Sequence, residues 1–266
     1  MKEIRLFYHG PNKGKVNFGD ALSPILVSEI TGRKVIYSSI FRCDLIAIGS
    51  ILDTYFRWRM VRSLIGQFND TLVWGSGFIK EGPDRVPKGL AIAAVRGPKT
   101  RRRLGLSPDT PLGDPGLLVS RIIQKSAVPR YSWGIIPHLA DAQDARIDLL
   151  LAATKHSTLI RIDQDPTQTL KKISECEQIV SSSLHGLIVA DALNIPNWWI
   201  KLGDRLIGGS WKFDDYFGSV RRTNAEPAMI PQYGDMDSAM LIGDFSYWEN
   251  IPLICRNLGE SIGNFF

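Results

Sequence analysis

The chain has 266 residues, 44% hydrophobic and 22% charged, ordinary globular usage that argues against a disordered or fibrous protein and allows a large core without metal or disulfide staples. Its 32 basic and 27 acidic residues leave a net charge of +5, which favours anionic ligands or an anionic membrane surface and is too mild to point to nucleic acid. Three cysteines with no CxxC pair, and no long uncharged apolar run, exclude a secreted disulfide framework, a zinc module and a membrane-spanning helix, so a cytoplasmic protein is expected.

In chain order, residues 4–8 read as a first strand, apolar and partly aromatic. After a Gly- and Asn-rich loop, residues 18–31 have helical spacing and stop before Gly32. Residues 34–37 and 44–48 read as strands, 52–65 as a helix, and 71–74 and 90–95 as strands. Pro98 then opens a short helix, 98–104. The stretch 122–130, with Lys125, Ser126 and Pro129, is the best linker. A second series follows: strand 131–136, helix 142–153, strand 157–162, helix 167–176, strand 178–182, helix 184–193 and strand 197–200. Helical spacing returns at 245–258. Strands alternating with helices at this interval predict parallel sheets covered on both faces. Two α/β domains facing a cleft are expected, 1–127 and 128–266, with the C-terminal helix packing back on the first.

In open parallel sheets, ligands sit beyond the C-terminal strand ends, where helix N-termini present free N–H groups. Five turns of that kind stand out. At Ser181-Ser182-Ser183-Leu184-His185-Gly186 a strand delivers three hydroxyls and a histidine to the start of an apolar helix. The hydroxyls either cap the helix or help its N–H groups hold an anion, and His185 either packs or works beside bound phosphate. Arg96, between an apolar strand and Pro98, is placed to grip a carboxylate or phosphate with two bonds, or to make a structural ion pair. Asp114, among Gly113, Pro115 and Gly116, is an Asx-turn residue or a proton-accepting group. Asn17 and Asp20, in the turn 14–20, are caps or cleft residues, and Gly75 and Ser76 follow a strand where backbone can approach a ligand. Lys212, with Asp214 and Asp215, begins a late helix that can line the same cleft.

Other features carry less. The arginine clusters 57, 59, 62 and 101–103 read as solvated helix faces, Lys99 likewise, and no nucleic-acid signature accompanies them. His138 and His156 read as incidental, and Trp198 and Trp199 as core and edge aromatics. Walker A, G-x-S-x-G, G-x-G-x-x-G and HExxH patterns are absent, which disfavours P-loop hydrolysis, lipase-type acyl transfer, dinucleotide binding and zinc-protease chemistry.

The stretches NFGDALSPIL (17–26), WGSGF (74–78), AAVRGPKTRRRLGL (93–106), GDPGLL (113–118) and SSSLHGLIVADALNIP (181–196) occur in the order seen in the polysaccharide pyruvyl transferases, and the chain resembles that family. The resemblance implies two Rossmann-like domains arranged as in the GT-B glycosyltransferases. It implies phosphoenolpyruvate as co-substrate, a sugar hydroxyl pair as acceptor, a pyruvate ketal as product, and phosphate released. The family's donor-site residues fall on Arg96, Leu184 and His185, with Ser182 and Ser183 at the same helix opening. No step of that chemistry asks for a metal or another cofactor. His185 is then the acid or the phosphate's partner, and Asp114 or Asp20 accepts a hydroxyl proton. An acceptor carried on a polyprenyl diphosphate lipid, and peripheral contact with the inner membrane face, suit the positive charge. Two rivals stand beside this reading: a nucleotide-sugar glycosyltransferase on the same fold, and a catalytically silent binding relative.

Overall fold

The computed structural model describes residues 3–10, 17–64, 70–223, 226–230 and 243–266. Its first half runs β1 (Ile4–Phe7), α1 (Phe18–Thr31), β2 (Val35–Tyr37), β3 (Leu45–Ile46), α2 (Leu52–Leu64), β4 (Thr71–Trp74), β5 (Leu90–Ala94) and α3 (Pro98–Arg103). A 3-10 helix, Pro115–Arg121, precedes the second half: β6 (Tyr131–Ile136), α4 (Arg146–Ala153), β7 (Ser157–Leu159), α5 (Pro166–Ser174), β8 (Cys176–Ser181), α6 (Leu184–Ala192), β9 (Asn197–Lys201), α7 (Trp211–Val220), β10 (Ala228–Met229) and α8 (Ile251–Gly263).

The strands form two five-stranded parallel sheets, ordered β2-β1-β3-β4-β5 and β10-β9-β8-β6-β7. Read from the opposite edge, the second sheet repeats the order of the first. Each is a doubly wound, Rossmann-like sheet whose winding reverses beside its first strand, between β1 and β3 and between β6 and β8. Strands buried on both faces are continuous apolar runs, as in β4, where Thr71, Leu72, Val73 and Trp74 are all buried.

Local chemistry sets the helix ends. Asn17 Oδ1 accepts from the Gly19 N–H at 3.2 Å to start α1, and Gly32, at φ 63°, ends it. Asp165 Oδ1 accepts from Gln168 N–H at 3.0 Å to start α5. Several elements differ from the sequence expectation for similar reasons. The helix expected at 142–153 is a short 3-10 turn, Leu139–Asp141, followed by α4. Asp144 Oδ1 accepts from the Arg146 N–H at 3.1 Å and so starts α4 late. The C-terminal helix begins at Ile251, after a 3-10 turn Ser246–Asn250, and continues to Gly263. Residue 65, expected to end α2, lies outside the described residues, as do residues 14–16 of the first turn.

The segment 122–130 lies against the second half, with Ser126 N–H on the Ser174 carbonyl at 2.9 Å and Arg130 N–H on the Glu175 carbonyl at 2.8 Å. One core cluster takes side chains from both sheets, Leu6, Leu72 and Trp74 with Ile136, Ile179 and Trp199. The helix α8 packs against β5, α1 and the 3-10 helix 115–121, and its Leu258 carbonyl accepts from Trp74 Nε1 at 3.0 Å. The buried Asp191 carboxylate accepts from Tyr216 at 2.7 Å, Tyr247 at 2.6 Å, Trp248 at 3.2 Å and Asn197 at 2.6 Å, tying α6, α7, β9 and the C-terminal segment together. Among the described residues, no helix is long and apolar enough to cross a membrane.

Arg103 corrects the reading of its cluster as a solvated face. It is 4% exposed, donates to the Pro83 carbonyl at 3.0 Å and the Lys80 carbonyl at 2.9 Å, and lies 3.7 Å from the centroid of Phe78. Carbonyls and an aromatic face replace its water, which only the folded loop 79–89 can provide. Lys99 is not simply solvated either: its ammonium pairs with Asp214 at 2.6 Å.

Candidate active site

The two points of winding reversal face each other. A cavity of about 180 Å³ lies between them, and each wall is built from residues just beyond strand ends. His9 follows β1, Gly49 and Ser50 follow β3, His138 follows β6, and Ser183, Leu184 and His185 follow β8. Asn17 and Asp20 of α1, Ile79, Arg96 and Lys212 complete the lining.

The opening of α6 is organised by serines. Ser181 Oγ accepts from the Ser183 N–H at 3.0 Å and donates to the Ile136 carbonyl at 3.0 Å. Ser182 Oγ accepts from the His138 N–H at 2.9 Å and donates to Asp141 Oδ2 at 2.8 Å, locking the β8 turn to the β6 turn. Ser183 occupies the N-cap position without making a side-chain cap bond. The Gly186 N–H bonds the Ser183 carbonyl at 3.1 Å, so the N–H groups of Leu184 and His185, two residues that line the cavity, precede the first bonded turn.

His185 is held between the two halves. A Cβ on Gly19, in the first turn of α1, would collide with His185 Nδ1. On the other side, His185 Nε2 lies 3.9 Å from Asp114 Oδ2, and both atoms are buried without a hydrogen-bond partner. Asp114 spends its other oxygen on the Gly116 N–H at 2.9 Å, starting the 3-10 helix. Burial pushes His185 down to about 3, helped by the neighbouring charges of Lys212, Arg96 and His138. Burial pushes Asp114 up to about 6, against the Gly116 hydrogen bond and Arg96. The imidazole is therefore neutral.

Arg96 is 1% exposed. Its Nε donates to Asp215 Oδ2 at 3.1 Å, Nη1 to Ser50 Oγ at 2.8 Å and Nη2 to the Phe78 carbonyl at 2.5 Å. Asp215 in turn accepts from Thr100 N–H at 2.9 Å and Thr100 Oγ1 at 2.6 Å. Of the two arrangements weighed from the sequence, the structural ion pair is present and fixes the guanidinium, which also borders the cavity. Its charge is matched by Asp215.

Lys212 makes no ion pair among the described residues. Burial lowers it to about 8, with Arg96 pushing the same way and Asp141 and Asp20 opposing. Asp20 is raised to about 7 by burial, against the His9 N–H at 3.3 Å and Lys212. His138 Nδ1 accepts from the Ala140 N–H at 3.1 Å, which leaves a neutral ring with its proton on Nε2. Burial, with Lys212, holds this ring low, at about 4.

The structure therefore gathers Asn17, Asp20, Arg96, Ser183, Leu184, His185 and Lys212 around one cavity, with Ser182 and Asp114 directly behind. Gly75 and Ser76 are not among its lining residues. Gly75 is at φ 80°, and a Cβ there would collide with Pro115. Ser76 is buried, donates to the Gly49 carbonyl at 2.8 Å and supports the wall from behind. Sequence reasoning passed over His9, Gly49, Ser50, Ile79 and His138. His138 corrects its reading as incidental: it stands two residues past the end of β6, where the strand-end rule would have found it. Among the described residues, no group of three or more His, Cys, Asp or Glu is placed to hold a metal ion.

A family model described as polysaccharide pyruvyl transferase matches residues 12–203. That span contains every cavity residue except His9 and Lys212. The chain is 31% identical over 228 residues to an uncharacterized protein, L143, of Acanthamoeba polyphaga mimivirus, with 81% of this chain and 74% of that one covered. It is 29% identical over 221 residues to succinoglycan biosynthesis protein ExoV of Rhizobium meliloti (strain 1021), covering 81% of this chain and 65% of that protein.

Proposed function

The chain belongs to the polysaccharide pyruvyl transferase family, and on that premise we propose that it transfers the pyruvyl group of phosphoenolpyruvate to a hydroxyl pair of a sugar in an exopolysaccharide or cell-surface glycan precursor. The product is a pyruvate ketal and the leaving group is inorganic phosphate. We read the two facing sheets as a GT-B-like pair.

The observation that carries the donor assignment is the cavity. Phosphoenolpyruvate is small and bears a carboxylate and a phosphate, which suits a cavity of about 180 Å³ lined by Arg96, Lys212 and the opening of α6. A nucleotide sugar is several times larger and would extend beyond it. Lys212, the cation without a matched acid, and the N–H groups opening α6 suit the phosphate. Arg96 Nη1, beside Ser50 Oγ, and the Nε2–H of His138 suit the carboxylate.

These placements suit the following course of reaction. A proton added to the methylene carbon leaves positive charge on C2, which the first sugar hydroxyl attacks while losing its proton. The C2–O bond to phosphate then breaks with both electrons going to phosphate, and the second hydroxyl closes the ring on the oxocarbenium centre that results, giving up its proton. His185 is the proton donor. Burial first, and then the charges of Lys212 and Arg96, keep it neutral; the negative charges of the donor act against both, so His185 takes up a proton on binding, with Asp114 behind it as counter-charge. Asp20, near 7, accepts the hydroxyl proton at neutral pH.

A calorimetric titration with phosphoenolpyruvate, beside UDP-glucose and GDP-mannose, tests this reading. We expect saturable binding of phosphoenolpyruvate alone, lost in His185→Ala and Lys212→Ala. Since the ammonium form of Lys212 holds the phosphate, affinity should fall as pH rises through about 8. Binding of a nucleotide sugar in place of phosphoenolpyruvate would overturn the donor. For the acceptor we propose a lipid-linked oligosaccharide met at the inner membrane face; repeating the titration with anionic vesicles present reports that contact.

A further inference from the structure

We infer that the open groove beside the cavity is the acceptor subsite, and that it seats a neutral chain of hexopyranose rings against Trp211. The inference rests on the pyruvyl-transfer reading above and adds the place and chemistry of its second substrate. A cavity of about 180 Å³ that encloses phosphoenolpyruvate has no room for an oligosaccharide, so the sugar chain must lie outside it. The groove measures about 510 Å³ and takes Glu81, Lys99 and Arg102 from one half and Ser210, Trp211 and Asp214 from the other.

Groove and cavity share walls. In the first turn of α7, Trp211 and Asp214, three residues apart and on one face, line the groove, while Lys212 lines the cavity and Asp215 holds Arg96. The same change of side occurs at α3, where Arg96 lines the cavity and Pro98, Lys99 and Arg102 line the groove. Between them, Gly208 of the groove packs so closely on the Ile79 carbonyl that a Cβ would collide with it, and Ile79 lines the cavity. A sugar chain lying along Trp211 therefore ends within one helical turn of Lys212.

The lining chemistry selects the occupant. Two carboxylates, Glu81 and Asp214, face two cations, Lys99 and Arg102, so the groove offers no net charge to an anion. It offers acceptors and donors to hydroxyls and an aromatic surface to the C–H face of a pyranose. Part of this is fixed by internal contacts: Lys99 Nζ stands 5.0 Å from the Trp211 ring centroid and pairs with Asp214 at 2.6 Å, and Ser210 Oγ donates to the same carboxylate at 2.9 Å. Arg102 is exposed and makes no ion pair among the described residues.

The test titrates the full chain with gluco-, galacto- and manno-configured tetrasaccharides, following heat and tryptophan fluorescence, with phosphoenolpyruvate titrated in parallel. At least one tetrasaccharide should bind the wild type, and Trp211→Ala should weaken it by about tenfold. Arg102→Glu, at an exposed position that does not endanger folding, should also weaken it. Phosphoenolpyruvate affinity should stay within about twofold in both variants. Absence of tetrasaccharide binding to the wild type, or binding that both variants retain, overturns the subsite. Groove-dependent sugar binding with no response to phosphoenolpyruvate would instead remove the donor reading and leave the groove a glycan site.

Discussion

His185 and Asp114 sit 3.9 Å apart, each with a buried polar atom that no other group satisfies. A fold built for stability alone would not keep that pair. Asp114 is raised by burial from 3.8 to about 6, so its ionisation inside the protein opposes folding. That opposition is absent below about pH 4, grows through the window between the two values and is complete above about 6. A shift of roughly two units corresponds to about 2–3 kcal/mol. Asparagine keeps the bond to the Gly116 N–H and removes the charge. Asp114→Asn should therefore raise unfolding free energy by about 2 kcal/mol at pH 8, leave it unchanged below pH 4, and lower turnover because His185 loses its counter-charge. Urea unfolding at the two pH values checks this, and equal stability at pH 8 would remove the argument. The sequence left open whether Asp114 was an Asx-turn residue or a chemical group. The Asx turn takes one oxygen and the other faces His185, and no spacing rule separates two oxygens of one carboxylate.

At the scale of elements, the site is a set of strand ends, and its legibility follows from that. The apolar runs of β1, β4, β6 and β8 and the caps Asn17 and Asp165 are local signals, so the alternation that predicts parallel sheets can be read directly. What faces a strand end from the other sheet cannot. Arg103 looks solvated in a run of three arginines and is buried only because Phe78 and two carbonyls of a distant loop close over it. Gly19 shows the same dependence: in sequence it is an unremarked residue of a helix start, and in space it is the surface on which His185 rests. Alanine there gains less than ~1 kcal/mol of helix propensity, whereas forcing a methyl against the ring costs about 1–3 kcal/mol. The net loss of stability should be small, because the imidazole turns away from the contact. Gly19→Ala should thus unfold within about 2 kcal/mol of the wild type and bind phosphoenolpyruvate at least about tenfold more weakly. Unchanged affinity, measured by calorimetry, would show that the α1 contact does not position the ring.

At the scale of the molecule, the question is whether the two sheets are separable. Chains of this length often unfold in steps, one unit at a time. Here the largest core cluster is continuous across both sheets, and α8 closes it from the end of the chain: Ile254, Leu258 and Ile262 share a cluster with Leu72 and Trp74 and with Ile179 and Trp199. Hydrogen bonds add cross-links of their own, from the Phe18 backbone N–H to the Ile162 carbonyl at 2.9 Å and from the Trp74 indole Nε1 to the Leu258 carbonyl at 3.0 Å. A site assembled from both halves requires such coupling, since an independent movement of either sheet would separate Arg96 from His185. Leu258 is fully buried, and its truncation to alanine should cost about 2–5 kcal/mol. Because the cluster is shared, that loss should appear in one transition rather than in the first sheet alone. Urea unfolding of Leu258→Ala, followed by tryptophan fluorescence and by far-ultraviolet circular dichroism, should give coincident curves shifted together from those of the wild type. Two resolved transitions, only one of them displaced, would mean that the halves fold separately and that the cavity is held together by ligand rather than by the core.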